Sequence, residues 1–333
     1  MNVRIGLQPG FSLVELMVAV TVSLLLLSGV VQLFAGSKRA YQIQNDFGVL
    51  QENGRYATGI LAGGIRVVDH WGGVGAGAIT IGGGVAITAT GNCNQAWATN
   101  VNTAIQGYEG ASAIGSVSGF PSGCLATTDY VANSDIIVLR YADPNGATNT
   151  SPVDSSNPNE VYVSSLVGAR AEISMGSNNV PGDLQGQNGL YNYPFVVEMY
   201  FLRPCSTKLL GTCQDTIPTL TRLKLGPGPG SSAVFIEETL VENIEQMQFQ
   251  YGSDTDANGS ADRYDNAGSV PNWGQVISVR VSLVAGGATR DNGYTDTSSY
   301  TLLDFNYIPA TADRNRSRQV YTRFIQIRNR TRS

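Results

Sequence analysis

The chain has 333 residues and a net charge of −5, and only 14% of them are charged, where about 25% is usual. That balance excludes a protein that holds nucleic acid through bulk positive charge, and a hydrophobic fraction of 42% excludes wholesale disorder. With 39 glycines and so few charges, the composition fits a loop-rich protein working outside the cytoplasm.

The chain begins MNVRIGLQPGFSLVELMVAVTVSLLLLSGVVQLFAG, and from Phe11 to Ala35 Glu15 is the only charged residue. About 20 apolar residues, each rising 1.5 Å along a helix, cross a bilayer, so this segment can span one. A lone carboxylate there costs roughly 2.5–3.5 kcal/mol at the bilayer centre and less near an interface, so a partner for Glu15 is expected. The leader has no apolar core of its own, and no small-x-small cleavage site follows the run, so this is not an ordinary secretory signal. Arg4 lies on one side and Lys38 and Arg39 on the other, so the positive-inside rule does not orient the span.

Gly10-Phe11-Ser12-Leu13-Val14-Glu15-Leu16-Met17-Val18-Ala19 resembles the cleavage and methylation motif of type IV pilins and type II secretion pseudopilins. The resemblance implies that the Gly10–Phe11 bond is cut, that Phe11 is N-methylated and that the helix is retained. Pro9 and the single basic residue of the leader, Arg4, depart from the usual leader pattern. Cleavage would place an amine on Phe11 that can neutralise Glu15 of a neighbouring subunit, at far lower cost than a lone charge. Such a pair would also fix axial register between helices. The alternative is a glutamate tolerated in a simple anchor.

Residues 41–66 continue the helix. Phe47, Leu50, Ala57, Leu61 and Ile65 fall near one face, with Gly54 in the same stripe. A helix from Phe11 to Arg66 would be about 80 Å long. Gly48, Gly54, Gly59, Gly63 and Gly64 predict bends or fraying. The expected division is a leader at 1–10, a transmembrane half-helix at 11–35, an amphipathic half-helix at 36–66 and a globular head at 67–333.

Past residue 66 the pattern turns to strands. Ile277, Val279, Val281 and Leu283 alternate with Ser278, Arg280 and Ser282, which predicts a half-buried strand within Val276–Val284. Ile136–Tyr141, Phe195–Leu202, Leu220–Leu225, Met247–Tyr251 and Arg323–Arg328 are further candidates. Gly-, Pro- and Asn-rich loops separate them, GPGPG at 226–230 reads as a rigid linker, and WGGVGAGAITIGGGVAITATGN as an irregular β or loop insertion. The fold class is α+β, a long N-terminal helix packed on an antiparallel β-sheet head. Cys93, Cys124, Cys205 and Cys213 fit disulfides in an oxidising compartment; of the three possible pairings, proximity favours Cys93–Cys124 and Cys205–Cys213. Without CxxC spacing, and with His70 the only histidine, zinc is disfavoured.

Asp254, Asp256, Asn258, Ser260, Asp262 and Asp265 occupy positions 1, 3, 5, 7, 9 and 12 of a twelve-residue loop with Gly259 at 6, the spacing of a calcium loop. A solvated acidic turn is the bland reading. Aspartate at position 12 is shorter than the usual glutamate, and no helices are predicted on either side. His70 alone offers no catalytic constellation and reads as a packing residue. Seven arginines from Arg314 to Arg332 read as partners of acidic neighbours or as a solvated flank of the last strand, and nucleic acid as an unlikely partner.

LQENGRYA, SDIIVLRYAD, DTDANGSADRY and the strand before RNR together resemble PilW-type minor pilins of the type IV pilus. The resemblance implies insertion in the bacterial inner membrane with a periplasmic head, and processing by the prepilin peptidase. It also implies partnership with other minor pilins, the major pilin, the inner-membrane assembly platform and a PilY-type tip adhesin. A minor pseudopilin of type II secretion and a membrane-tethered calcium-dependent adhesin are the rivals; an enzyme is a distant third.

Overall fold

The structure, a computed structural model, describes residues 10, 12–291 and 293–330. Phe11, the leader up to residue 9 and Arg332 lie outside the described residues. The chain divides into two units, one ending at Val49 and one beginning at Leu50, and a single helix, Leu13–Val67, contributes to both.

In the N-terminal unit the apolar run is bare. Its large apolar side chains from Leu13 to Phe34 are all exposed, Leu25 at 74% and Phe34 at 72%. An 18-residue window reaches a mean hydropathy of 2.3 and buries nothing. A helix apolar all round and uncovered by protein is suited to lipid.

In the second unit the helix carries the stripe read from the sequence: Leu50, Ala57, Leu61 and Ile65 are fully buried. Phe47, expected in that stripe, is exposed and belongs to the N-terminal unit. The glycines do not interrupt the helix. Two of them are points of close approach instead. A Cβ on Gly54 would stand 2.2 Å from the Tyr321 ring, and one on Gly64 would stand 2.8 Å from Leu139 Cδ1. Across the first gap the Tyr321 hydroxyl donates to the Leu50 carbonyl at 3.2 Å.

The head contains two principal sheets where one was expected. The larger has nine strands. Its long strand Leu190–Arg203 pairs antiparallel with Val161–Leu166, Ile136–Ala142 and Thr219–Pro227. Two short pairings are parallel: Ile79–Ile81 beside Ala171–Met175, and Ile87–Thr88 beside Ala233–Glu242. Those short strands come from the segment read as an irregular β insertion. The smaller sheet orders Arg263–Asp265, Ile244–Ser253, Val276–Gly286 and Arg318–Gln326, all antiparallel.

The two sheets and the helix share one core, including Leu61, Ile65, Leu139, Val197, Phe249 and Val279. Val276–Gly286 is buried on both faces rather than one, with Ser278 1% and Ser282 0% exposed. Its polar face is covered by its own sheet: Ser282 bonds Thr322 at 2.9 Å, Ser278 bonds the Tyr264 hydroxyl at 3.1 Å, and Arg280 lies 3.5 Å over the Tyr264 ring. Small hydroxyls tolerate such burial when they are hydrogen-bonded. GPGPG is not a linker: Gly226 and Pro227 extend a strand, and the rest turns the chain into Ala233–Glu242, with Gly230 at φ 76°.

The segment between residues 72 and 130 has little regular structure, and a buried cation organises it. Arg140, fully buried on strand Ile136–Ala142, donates to the carbonyls of Trp97, Ala98 and Thr103 at 2.7–3.1 Å and lies 4.8 Å over the Trp97 ring. Those carbonyls sit at the ends of two short helical turns, Gln95–Ala98 and Val101–Thr103, where Trp97 also accepts from the Asn100 amide at 3.4 Å while the last carbonyls of each turn, those of Ala98 and Thr103, lie beyond the turn's own donors. Burial lowers the Arg140 pKa to about 10, and the guanidinium stays charged.

Candidate functional site

The N-terminal motif builds its own helix start. The Ser12 amide donates to Glu15 Oε2 at 3.1 Å, and the Glu15 amide donates to Ser12 Oγ at 3.2 Å. This is a reciprocal capping box, in which two otherwise orphaned donors are satisfied. The carboxylate also sits in the first turn, where the helix dipole favours negative charge. Ser-x-x-Glu before an apolar run is the sequence signature of such a box, and it gives Glu15 a partner within its own chain besides the one expected on a neighbour. Gly10 is exposed, two residues before Ser12, and Glu15 is exposed as well.

The acidic loop is brought together only in part. Carboxylate oxygens of Asp254, Asp256 and Asp262 lie within 4.8 Å of one another. Asp265 does not join them. It lies in the edge strand Arg263–Asp265, where Arg263 holds both its oxygens at 2.6 Å. Alternate residues of a strand share a face, which puts Arg263 and Asp265 side by side. Asn258 Oδ1 accepts from the Ser260 amide at 2.8 Å. The loop's amides organise the rest: Asp254 accepts from Asn258 at 3.1 Å and Gly259 at 2.8 Å, and Asp262 from the Thr255 amide at 2.7 Å. The Thr255 hydroxyl bonds the same carboxylate and, with that amide, holds its pKa below the usual aspartate value. Three carboxylates on hydrogen-bonded backbone thus converge where six residues were expected to.

Both disulfides pair as proximity suggested, Cys93 with Cys124 and Cys205 with Cys213. His70 is a half-buried packing residue: Nδ1 lies 2.6 Å from the Ala142 carbonyl, and the ring meets Tyr193 edge-on. Of the C-terminal arginines, Arg318 is paired with Glu245 at 2.5 Å and Asp296 at 3.1 Å, and Arg330 with Asp69 at 2.7 Å.

Residues 200–329 match the family described as Type IV Pilus-assembly protein W, and residues 7–31 match the Prokaryotic N-terminal methylation motif. The first match covers the last four residues of the long strand, the hairpin after it, strands Thr219–Pro227 and Ala233–Glu242, and the whole smaller sheet. No curated protein matches the chain. Among solved structures the chain is similar to a type IV-like pilin from Thermus thermophilus, with 10% identity and a TM-score of 0.32 over 87% of this chain and 98% of that one.

Proposed function

Carrying the methylation motif at one end and the pilus-assembly segment at the other, the chain is a PilW-type type IV pilin, and we propose that it works as a minor pilin. Its role in this reading is structural. The prepilin peptidase cuts Gly10–Phe11 and methylates Phe11, and the apolar helix holds the protein in the inner membrane with the head in the periplasm. The subunit then joins other minor pilins to prime assembly and sits at the pilus tip. The observation that carries the reading is the Glu15 carboxylate. Only its Oε2 is engaged in the capping box among the described residues, which leaves Oε1 to accept a neighbour's Phe11 amine.

Glu15→Gln tests this directly. Glutamine serves a capping box as well as glutamate does, so helix start and processing are kept while the charge is lost. The expected result is a cleaved, N-methylated chain by mass spectrometry that no longer enters pili. Normal incorporation of the variant, or a native chain that keeps its first ten residues, would refute the proposal. Loss of exoprotein secretion instead of pili on deletion would favour the pseudopilin reading.

The acidic loop supports a second element of the proposal, one calcium ion held by Asp254, Asp256 and Asp262. Calorimetry should show calcium binding that disappears when Asp254 and Asp256 are both changed to Ala. An equal response in parent and variant would remove the site.

A further inference from the structure

The Cys205–Cys213 disulfide closes CSTKLLGTC into a hairpin with strands Lys208–Leu209 and Thr212–Cys213 around the turn Leu210-Gly211. Both turn residues have positive φ, 50° at Leu210 and 80° at Gly211. Such a turn favours Asn-Gly, and a leucine in the left-handed region is sterically disfavoured. Leu210 is nevertheless 98% exposed, and Leu209 62%. Backbone strain and hydration both oppose this arrangement, yet the hairpin is firmly held. The Asp215 carboxylate accepts from the amides of Ser206, Thr207 and Ile217 at 2.8–2.9 Å. Arg203 donates to the carbonyls of Cys205 and Ser206, and Lys208 bonds Asp129 at 2.7 Å and Glu237 at 3.2 Å. A stiff apolar tip presented to water is a knob without a hole.

The two partners of Lys208, Asp129 and Glu237, also line a half-open cavity of about 870 Å³. Ile114, Val117, Phe120, Leu125, Met199 and Phe235 make its apolar walls, and the Cys93–Cys124 disulfide braces one side. Asp129 is only 8% exposed, and its Oδ1 has no hydrogen-bond partner among the described residues. The cavity therefore matches an apolar group that brings a donor. The hairpin tip brings two leucine side chains, and the turn amides of Leu210 and Gly211 lie outside the two-strand pairing. Leu210, being exposed, does not fill the cavity of its own chain. Knob and hole are neighbours, joined through Lys208, so they form one self-complementary patch. A patch that complements itself is the requirement for a two-fold contact between identical chains.

We infer that two copies of this chain associate about a two-fold axis, the Leu209–Leu210 tip of each entering the cavity of the other beside Asp129. The contact is independent of the charge pairing at Glu15. It is tested on the full chain in detergent micelles, with a diazirine amino acid in place of Leu210 and an equal mixture of light and heavy isotope-labelled protein. Mixed-isotope crosslinks from position 210 to residues 114–125 are expected. Crosslinks only within one isotope, or only to detergent, overturn the inference. Leu210→Gly supplies the second measurement, because glycine relieves the positive φ while removing the knob. The variant should melt no lower than the parent, yet dissociate at least about tenfold more readily in sedimentation equilibrium, as expected for loss of a central anchor. Self-association unchanged by Leu210→Gly, or a parent monomeric at every concentration reached, also overturns it.

Discussion

Gly54 is a place where helix propensity and packing pull in opposite directions, so the sign of a substitution is informative. On propensity alone Gly54→Ala should stabilise the helix by about 1 kcal/mol. The structure predicts the reverse, since the new Cβ would lie 2.2 Å, 2.3 Å and 2.5 Å from three atoms of the Tyr321 ring. The ring must move, over-packing of this kind costs about 1–3 kcal/mol, and the Tyr321–Leu50 hydrogen bond contributes about 1 kcal/mol more. Gly54→Ala should therefore destabilise the head by about 1–3 kcal/mol net. In a Tyr321→Ala background the obstruction is gone, and the same change should stabilise by about 1 kcal/mol. Gly59→Ala is the control: nothing lies within 4 Å of its Cβ, so it should stabilise by about 0.5–1 kcal/mol in either background. Urea unfolding of a soluble chain lacking residues 1–35 reads all of these changes. If Gly54→Ala stabilises with Tyr321 present, or has the same sign in both backgrounds, the close-approach argument fails.

Other expectations follow from single features. Arg140→Met removes one buried cation but strands the carbonyls of Ala98 and Thr103 and takes a donor from that of Trp97, so at about 1–3 kcal/mol for each stranded carbonyl it should cost about 2–6 kcal/mol in the same assay. Arg140→Lys should recover only part of this, because one ammonium cannot reproduce a fork that also stacks on Trp97. At Asp215, desolvation pushes the pKa up, but the amides of Ile217, Ser206 and Thr207 outweigh it and hold the carboxyl at about 2 against an ordinary 3.8. A depressed folded pKa gives stability that is present above pH 3.8 and lost as pH falls towards 2. Acid titration of Asp215→Asn should accordingly show a shallower stability loss across that window than the parent.

How much was legible in the sequence depended on the local density of the signal. The helix, and strands such as Ile136–Ala142 and Ile244–Ser253, announced themselves through apolar periodicity or β-branched and aromatic residues. Val161–Leu166, Ala171–Met175 and Ala233–Glu242 did not: two are short, and the third carries Glu237, Glu238 and Glu242 among its ten residues. Their strand character comes from the neighbours they pair with. The last strand begins at Arg318 rather than Arg323, because its polar opening, RQVYT, is held by register with Val276–Gly286. At the acidic loop, spacing grouped six residues, of which Asp254, Asp256 and Asp262 lie within 4.8 Å of one another. It could not weigh the competing claim of Arg263 on Asp265, which depends on the short strand that sets them side by side.

The Ser12–Glu15 box has a consequence for maturation. Its two amide donors, and both side chains that receive them, lie downstream of the Gly10–Phe11 bond. A protease severing that bond would leave the first turn fastened and change only what precedes it. In the proposed maturation, Glu15 would thus be offered from an already fastened helix start, and a recruiting subunit would meet a docking point that needs no refolding.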